Sequence, residues 1–177
     1  MSLRSMVHRL PEPVQQALRD RFYPTLLAEG EAVPEWHLQA ADGNWHRHNN
    51  NRWTVMVFYV ADGDPASAKQ LSDLQAHLPK LREIGAEVYG INAAEADSHQ
   101  AFAKELGLEF PLLTDRGGSV ARQFRAAIGL PFRTVLLSTV YLVNPDRKIR
   151  MANRGTPPAA VLVRSIEALQ QATKRGM

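Results

Sequence analysis

The chain has 177 residues, of which 45% are apolar and 22% are charged, and its net charge is only +3. This length favours one domain around a single core, and the scattered basic residues argue against nucleic-acid binding. The sequence contains no cysteine, which excludes disulfides, thiolate–metal sites and thiol catalysis by its own residues.

The first predicted element is a helix near the N-terminus. Pro11 and Pro13 suit its first turn, Gly30 suits its end, and apolar residues recur between them with the spacing of one helical face. Those residues are Val14, Leu18, Phe22 and Leu26. We interpret residues 1–29 as a helical extension of a domain that spans residues 30–177. No segment reads as a secretory signal or a membrane-spanning helix, so we expect a cytoplasmic protein with no membrane partner.

Two short strands around an Asp-Gly turn follow the extension. Residues 36–40 and 45–48 flank Asp42 and Gly43, a dipeptide that favours a two-stranded hairpin. Tryptophans are concentrated here, and we interpret them as packing over the sheet rather than as an exposed contact patch. They are Trp36, Trp45 and Trp53.

A strand, a helix and a second strand come next. The apolar run 54–60 predicts a buried strand, a helix begins near Pro65 and ends at Gly85, and residues 87–92 form the second strand. A unit of this length implies two parallel strands with a right-handed crossover. The apolar face of the helix is too short for a zipper and is assigned to the core. It consists of Leu71, Leu74, Leu78 and Leu81.

The C-terminal half predicts more α/β structure. Residues 97–106 form a helix, residues 139–143 and 149–152 form a second hairpin, and a last helix begins at Thr156. The whole order predicts an α/β protein with a thioredoxin-like fold, in which a central mixed sheet is flanked by helices.

Several segments in residues 30–154 carry a family resemblance through their order and spacing. They are Gly30–Leu38 with its Pro and aromatic residue, Phe58-Tyr59 followed by Pro65, Phe102–Leu106, Phe110–Asp115, Val120–Phe124 and Tyr141–Asp146. Together they resemble the peroxiredoxins, the thiol peroxidases of the alkyl hydroperoxide reductase and thiol-specific antioxidant (AhpC/TSA) type, and especially the bacterioferritin-comigratory branch. The resemblance implies an antioxidant oxidoreductase on a thioredoxin-like fold, and a homodimer.

The resemblance also places the family's catalytic residues, and all of them are replaced here. The family's Pro, Thr and peroxide-reducing Cys fall on Val60, Asp64 and Ser67, and its Arg falls at about Ser138. A serine oxygen cannot be oxidised to a sulfenic acid. A single engineered Cys-to-Ser change would explain Ser67 alone, so we interpret the pattern as natural loss of the site.

Two functional hypotheses follow from these replacements. The first is a catalytically degenerate scaffold that binds an unknown protein or small molecule through the former active-site loop. The alternative is an oxidoreductase, or a non-thiol enzyme that uses Ser67, Asp64 and an arginine moved from elsewhere, for which Arg125 and Arg133 are candidates. Ser67 lacks the Gly-x-Ser-x-Gly setting of a hydrolase nucleophile, so a small residue at a helix start is the simpler interpretation.

Histidines supply the last candidate site. His46 and His48 alternate along a strand and, with His37, have a geometry that suits a metal. No carboxylate stands at an obvious ligand spacing, so we predict neither a metal nor a cofactor. The other histidines are isolated and are assigned to the surface: His8, His77 and His99.

Overall fold

The computed structural model describes residues 23–176 together with Pro11, Pro13 and Val14. The predicted N-terminal helix therefore falls largely on residues outside the description, as does His8. The strands are β1 (His37–Ala40), β2 (Trp45–Arg47), β3 (Trp53–Phe58), β4 (Ala86–Asn92), β5 (Leu112–Thr114), β6 (Ala127–Leu130), β7 (Arg133–Leu136), β8 (Thr139–Val143) and β9 (Ile149–Arg154). The helices are α1 (Pro65–Glu83), α2 (Ala96–Leu106), α3 (Ser119–Gln123) and α4 (Ala159–Arg175). No helix in this part of the chain is long and apolar enough to cross a membrane.

The main sheet is mixed, as predicted. Its strand order is β2-β1-β5-β4-β3-β8-β9. The central strands β3, β4 and β5 run parallel, and the strands on either side join them in antiparallel pairs. The predicted hairpins form as β1–β2 and β8–β9, and the strand–helix–strand unit forms as β3–α1–β4. The α/β, thioredoxin-like architecture is therefore confirmed.

Strand β3 is buried on both faces, which explains its uninterrupted apolar sequence. Val55 and Val57 point to one core and Met56 and Phe58 to the other, as the alternation of a strand requires. The leucine face of α1 and the apolar face of α4 fill the first core, which we call the helix-side core. The opposite core contains the β1 strand, α3 and the segment before Val33.

The tryptophans do not form one cluster. Trp36 packs in the core opposite the helices and Trp53 packs in the helix-side core. Trp45 is 59% exposed on the outer side of β2. The predicted packing role is therefore confirmed for two of them and is wrong for Trp45.

A second small sheet, β6–β7, was not predicted from the sequence. Its strands pair antiparallel around Pro131 and Phe132, and Phe132 is fully exposed at the tip. Residues 126–143 contain a single charge, Arg133, so polar positions do not mark where one strand ends and the next begins.

The core assignment of the α1 leucines predicts a large difference between two leucine substitutions. Leu78→Ala should lower the free energy of unfolding by about 3 kcal/mol, because Leu78 is 1% exposed in the helix-side core. Leu130→Ala, at a side chain that is 42% exposed on β6, should change it by less than about 0.5 kcal/mol. Urea denaturation of both variants checks this, and equal losses would contradict the assignment.

Candidate functional site

The loop between β3 and α1 ends in a well-formed helix cap. Gly63 adopts φ +79°, which turns the chain so that Asp64 can stand at the N-cap with extended backbone angles. The Asp64 carboxylate accepts the backbone N–H of Ser67 at 2.8 Å, and Pro65 occupies the first helical position. The sequence Asp-Pro-Ala-Ser therefore starts the helix by ordinary capping chemistry.

Ser67 is held by the same carboxylate. Its hydroxyl donates to Asp64 Oδ2 at 2.8 Å, and the residue is only 1% exposed. The two predicted site residues are thus in direct contact. A serine nucleophile needs a path for its substrate and a base that takes its proton, and burial beneath the cap provides no such path here. A catalytic role for this pair stays a prediction.

The two other positions on which the family's catalytic residues fall, Val60 and Ser138, provide no hydrogen bond to the Ser67 hydroxyl. Val60 is 46% exposed, and Ser138, just before β8, uses its carbonyl to accept the N–H of Gly155 at 2.7 Å. Among the described residues, the Ser67 hydroxyl has Asp64 as its hydrogen-bond partner and no arginine. The hydrogen bonds of Ser67 are thus those of an ordinary helix cap.

Neither candidate arginine replaces the missing one. The Arg125 guanidinium donates to the carbonyl of Thr25 at 3.2 Å, next to Leu26, which packs in the core opposite the helices. Arg133 is exposed on β7 of the small hairpin. The idea that one of them moves to Ser67 is therefore wrong for this structure.

A buried polar cluster that the sequence did not reveal lies in the same loop. The Asp62 carboxylate accepts hydrogen bonds from Tyr59 Oη at 2.7 Å, Asn92 Nδ2 at 3.0 Å and Ser98 Oγ at 2.6 Å, and it lies 3.0 Å from His99 Nδ1. Tyr59 directly follows β3, Asn92 ends β4, and Ser98 and His99 lie in α2. Asp62 therefore ties the loop to elements on both sides of it.

His99 corrects the prediction of a surface histidine, because its side chain is 0% exposed. An ionised carboxylate can only accept hydrogen bonds, so His99 Nδ1 is the donor to Asp62 Oδ2. His99 also lies one helical turn before the buried Phe102, so helical spacing was the signal for its inward position. His77 is partly exposed and bonds the carbonyl of Asp73, in agreement with its assignment.

The cluster sets the protonation of its members. Burial alone would raise the pKa of Asp62, but hydrogen bonds from His99, Ser98 and Tyr59 and the charge of His99 outweigh it and lower that pKa to about 2. Burial and the Asp62 carboxylate raise the pKa of Tyr59. The carboxylate is therefore ionised and the phenol neutral across the physiological range.

The histidines of the first hairpin do not come together as the three-residue candidate metal site would require. His37 pairs with Arg47 and Leu38 pairs with His46, so His37 and His46 point to opposite faces of the hairpin. Within the described part of the chain, no group of three or more histidine or acidic side chains is arranged to hold a metal ion.

The fold and the capped loop after β3 define a chain of the peroxiredoxin class, and the comparisons agree. A sequence model of the AhpC/TSA family matches residues 30–152, and the chain belongs to that family. A putative chloroplastic peroxiredoxin Q from Oryza sativa subsp. indica is 33% identical over 121 residues, which cover 64% of this chain and 56% of that protein. The chain thus spans little more than half the length of the first curated relatives that it matches.

Two further relatives extend the similarity. A chloroplastic peroxiredoxin Q from Gentiana triflora is 27% identical over 166 residues, covering 92% of this chain and 76% of that protein. The crystal structure of peroxidoxin BcpB from Mycobacterium tuberculosis superposes with a TM-score of 0.76 at 23% identity, over 80% of this chain and 97% of that one. This likeness supports the shared fold.

The Asp62 cluster predicts an acid-dependent loss of stability. The folded pKa of about 2 lies below the ordinary value of 3.8, so ionised Asp62 stabilises the fold above about pH 4, and this contribution of about 2 kcal/mol is lost as the pH falls toward 2. Asp62→Asn should be less stable near pH 7 and should lack this part of the pH dependence.

Denaturation of both proteins between pH 6 and pH 2 measures the effect, over a range set by the folded pKa of about 2. Asp146→Asn is the matched control, because Asp146 is exposed in the turn before β9. An Asp62→Asn profile parallel to that of the unmodified protein would show that Asp62 is not the group responsible.

Proposed function

We propose that this chain is a member of the AhpC/TSA family without thiol peroxidase activity, which acts as a scaffold that binds a protein partner or a small molecule. The observation that carries the proposal is Ser67. By the spacing of the motifs that resemble the family, Ser67 falls on the position of the peroxide-reducing cysteine; its hydroxyl donates to Asp64, and the sequence contains no cysteine. A cytoplasmic location and a homodimer belong to the same proposal, although the plant relatives are named as chloroplastic.

The chemistry of peroxide reduction supports this reading. A thiolate attacks one peroxide oxygen, an S–O bond forms as the O–O bond breaks, and the sulfur becomes a sulfenic acid while the other oxygen leaves and is protonated. Serine cannot accept the oxygen in this way. A peroxide that reached Ser67 would therefore meet a side chain that has no means of reducing it.

The Asp64 carboxylate also disfavours a thiolate at position 67. A helix N-terminus normally lowers the pKa of a thiol, because the exposed N–H groups favour an anion. Here a carboxylate already satisfies the N–H of Ser67 and lies 2.8 Å from its hydroxyl oxygen. The negative charge of Asp64 would oppose a second anion at position 67.

Two alternatives keep an enzymatic role. An antioxidant oxidoreductase of the peroxiredoxin type is consistent with the family membership. A non-thiol enzyme that uses Ser67 and Asp64 has their direct contact in its favour. The burial of Ser67 and the positions of Arg125 and Arg133 count against it.

An activity assay separates the scaffold from the enzymes. The purified chain should consume hydrogen peroxide or an alkyl hydroperoxide, with dithiothreitol as reductant, no faster than buffer. A commercial thiol peroxidase assayed in parallel shows that the assay responds. Turnover that is abolished by Ser67→Ala would reject the scaffold hypothesis in favour of chemistry at this residue.

Replacing Ser67 with cysteine tests how strongly the Asp64 charge raises the pKa of a thiol at this position. The thiol pKa in Ser67→Cys should lie at least about one unit above that in Ser67→Cys/Asp64→Thr, because threonine keeps a cap but removes the charge. The ultraviolet absorbance of the thiolate during a pH titration measures both values.

The matched control for this experiment is Ser67→Cys/Asp146→Asn, in which an exposed carboxylate is removed instead. Its thiol pKa should equal that of the single variant. Equal values in all three proteins would show that the Asp64 charge does not act on position 67.

A further inference from the structure

The small sheet β6–β7 has one face that belongs to neither core. Its register pairs Ala127 with Leu136 and Ile128 with Val135. Directly opposed residues lie on the same face, and faces alternate along each strand. Ala127 and Leu136 are buried in the core opposite the helices, so Ile128 and Val135 face away from it. Neither core includes Ile128 or Val135.

The inward face of the small sheet rests on the segment before α3. Thr134, two residues before Leu136, donates from Oγ1 to the carbonyl of Gly117 at 3.0 Å and accepts a hydrogen bond from Arg122 Nη1 at 2.7 Å. A Cβ atom at Gly118 would lie 2.6 Å from Thr134 Cγ2, so this close approach requires glycine. The sheet is therefore anchored by this face, which leaves the other face outward.

The outward face ends in an apolar tip. Leu130, which pairs with Arg133, is 42% exposed, and Phe132 in the turn between them is 100% exposed. A single exposed apolar side chain is ordinary, but here Phe132 and Leu130 continue a face that is apolar along both strands. We call this surface the outer hairpin face. It consists of Ile128, Leu130, Phe132, Arg133 and Val135.

The charges around the outer hairpin face are all positive in the local sequence. Residues 116–145 contain four arginines and no acidic residue. Arg116 forms an ion pair with Glu95. Arg122 and Arg133 have no carboxylate within ion-pair distance among the residues that the structure describes. Arg133 lies on the outer face, and Arg122 is hydrogen-bonded to Thr134 of the same sheet. The face therefore combines apolar side chains with uncompensated positive charge.

The size of the outer hairpin face argues against a second protein chain as its partner. A stable protein interface buries about 800 Å² on each side. Four apolar side chains, of which Ile128 and Val135 are already partly covered, provide much less. A lipid surface has no such requirement. Apolar side chains enter the boundary between headgroups and acyl chains, and arginines bind the lipid phosphates.

We propose that the outer hairpin face docks on a membrane surface that contains anionic phospholipid. Phe132 and Leu130 enter the headgroup boundary, and Arg133 and Arg122 bind the phosphates. The expectation of no membrane partner rested on the lack of a spanning segment, which a surface contact does not need. Docking does not involve Ser67, so the peroxide assay does not bear on it.

Sedimentation of the full chain with lipid vesicles tests the proposal. The unmodified protein should sediment with vesicles of phosphatidylcholine and phosphatidylglycerol in equal parts, and much less with vesicles of phosphatidylcholine alone. Phe132→Ser should weaken binding to the mixed vesicles about tenfold, because the ring no longer leaves water. This side chain is fully exposed, so the variant should fold normally. Arg133→Glu should weaken binding at least as much, since it reverses a charge that faces the lipid.

The first hairpin supplies matched controls. Trp45 is 59% exposed and Arg47 is exposed on the same strand, and the turn of this hairpin carries Asp42. Trp45→Ser removes an exposed aromatic side chain, and Arg47→Glu changes the net charge by the same amount as Arg133→Glu. Both variants should bind the mixed vesicles at least three times more tightly than Phe132→Ser and Arg133→Glu do.

A label at the tip tests insertion directly. Because the chain contains no cysteine, Phe132→Cys carries a polarity-sensitive fluorophore at that position alone, and Trp45→Cys is the corresponding control. Mixed vesicles should shift the emission of the label at position 132 to the blue and leave the label at position 45 unchanged.

Four results would each overturn the proposal: no sedimentation with the mixed vesicles, equal binding to both kinds of vesicle, binding that Phe132→Ser leaves unchanged, or no shift of the label at position 132. A dimer in vesicle-free solution that Phe132→Ser dissociates would also overturn it, in favour of pairing between two copies of the chain. The comparison of the two kinds of vesicle uses the unmodified protein, so it stands even if a variant fails to fold.

Discussion

The candidate site depends on the two hydrogen bonds that Ser67 donates to the Asp64 carboxylate. One carboxylate oxygen accepts both the backbone N–H and the hydroxyl of the same residue, each at 2.8 Å. This starts α1, fixes the rotamer of Ser67 and places a negative charge at the helix N-terminus. A site of this kind stabilises a neutral donor and disfavours an anion, the reverse of what a peroxide-reducing thiolate requires.

The loop that leads to Asp64 is held by the neighbouring carboxylate of Asp62. Its donors come from the residue after β3, from β4 and from α2, and the side chains of Asp62 and His99 are 8% and 0% exposed. A buried carboxylate with this many donors stays ionised, because their combined attraction exceeds the cost of desolvation. The loop is thus rigidly supported although its catalytic side chains are replaced, which fits a scaffold that retains the family's architecture.

The two ends of the parallel strands therefore differ in character. At the end that carries Ser67 the start of α1 is capped and Ser67 is buried, whereas the other end borders a cleft of about 710 Å³. In an α/β protein, function commonly lies in loops that a rigid scaffold positions. Membership of the AhpC/TSA family concerns the end that carries Ser67 and predicts no function for the other end.

The sequence by itself determined the order of the elements apart from β6 and β7, because periodicity and turn residues are local properties. The order and spacing of its motifs indicated the family, and its composition showed that it contains no cysteine. It also placed Asp64 and Ser67 at a helix start, where capping rules apply. Only the tertiary structure decided that His99 is buried against Asp62 and that the Arg125 guanidinium donates to the carbonyl of Thr25 rather than to Ser67. It likewise decided that His37 and His46 point apart and that Trp45 stands beside Arg47. These outcomes depend on strand register and on which faces of helices and sheet meet, and such long-range pairings leave no mark in the local spacing of residues.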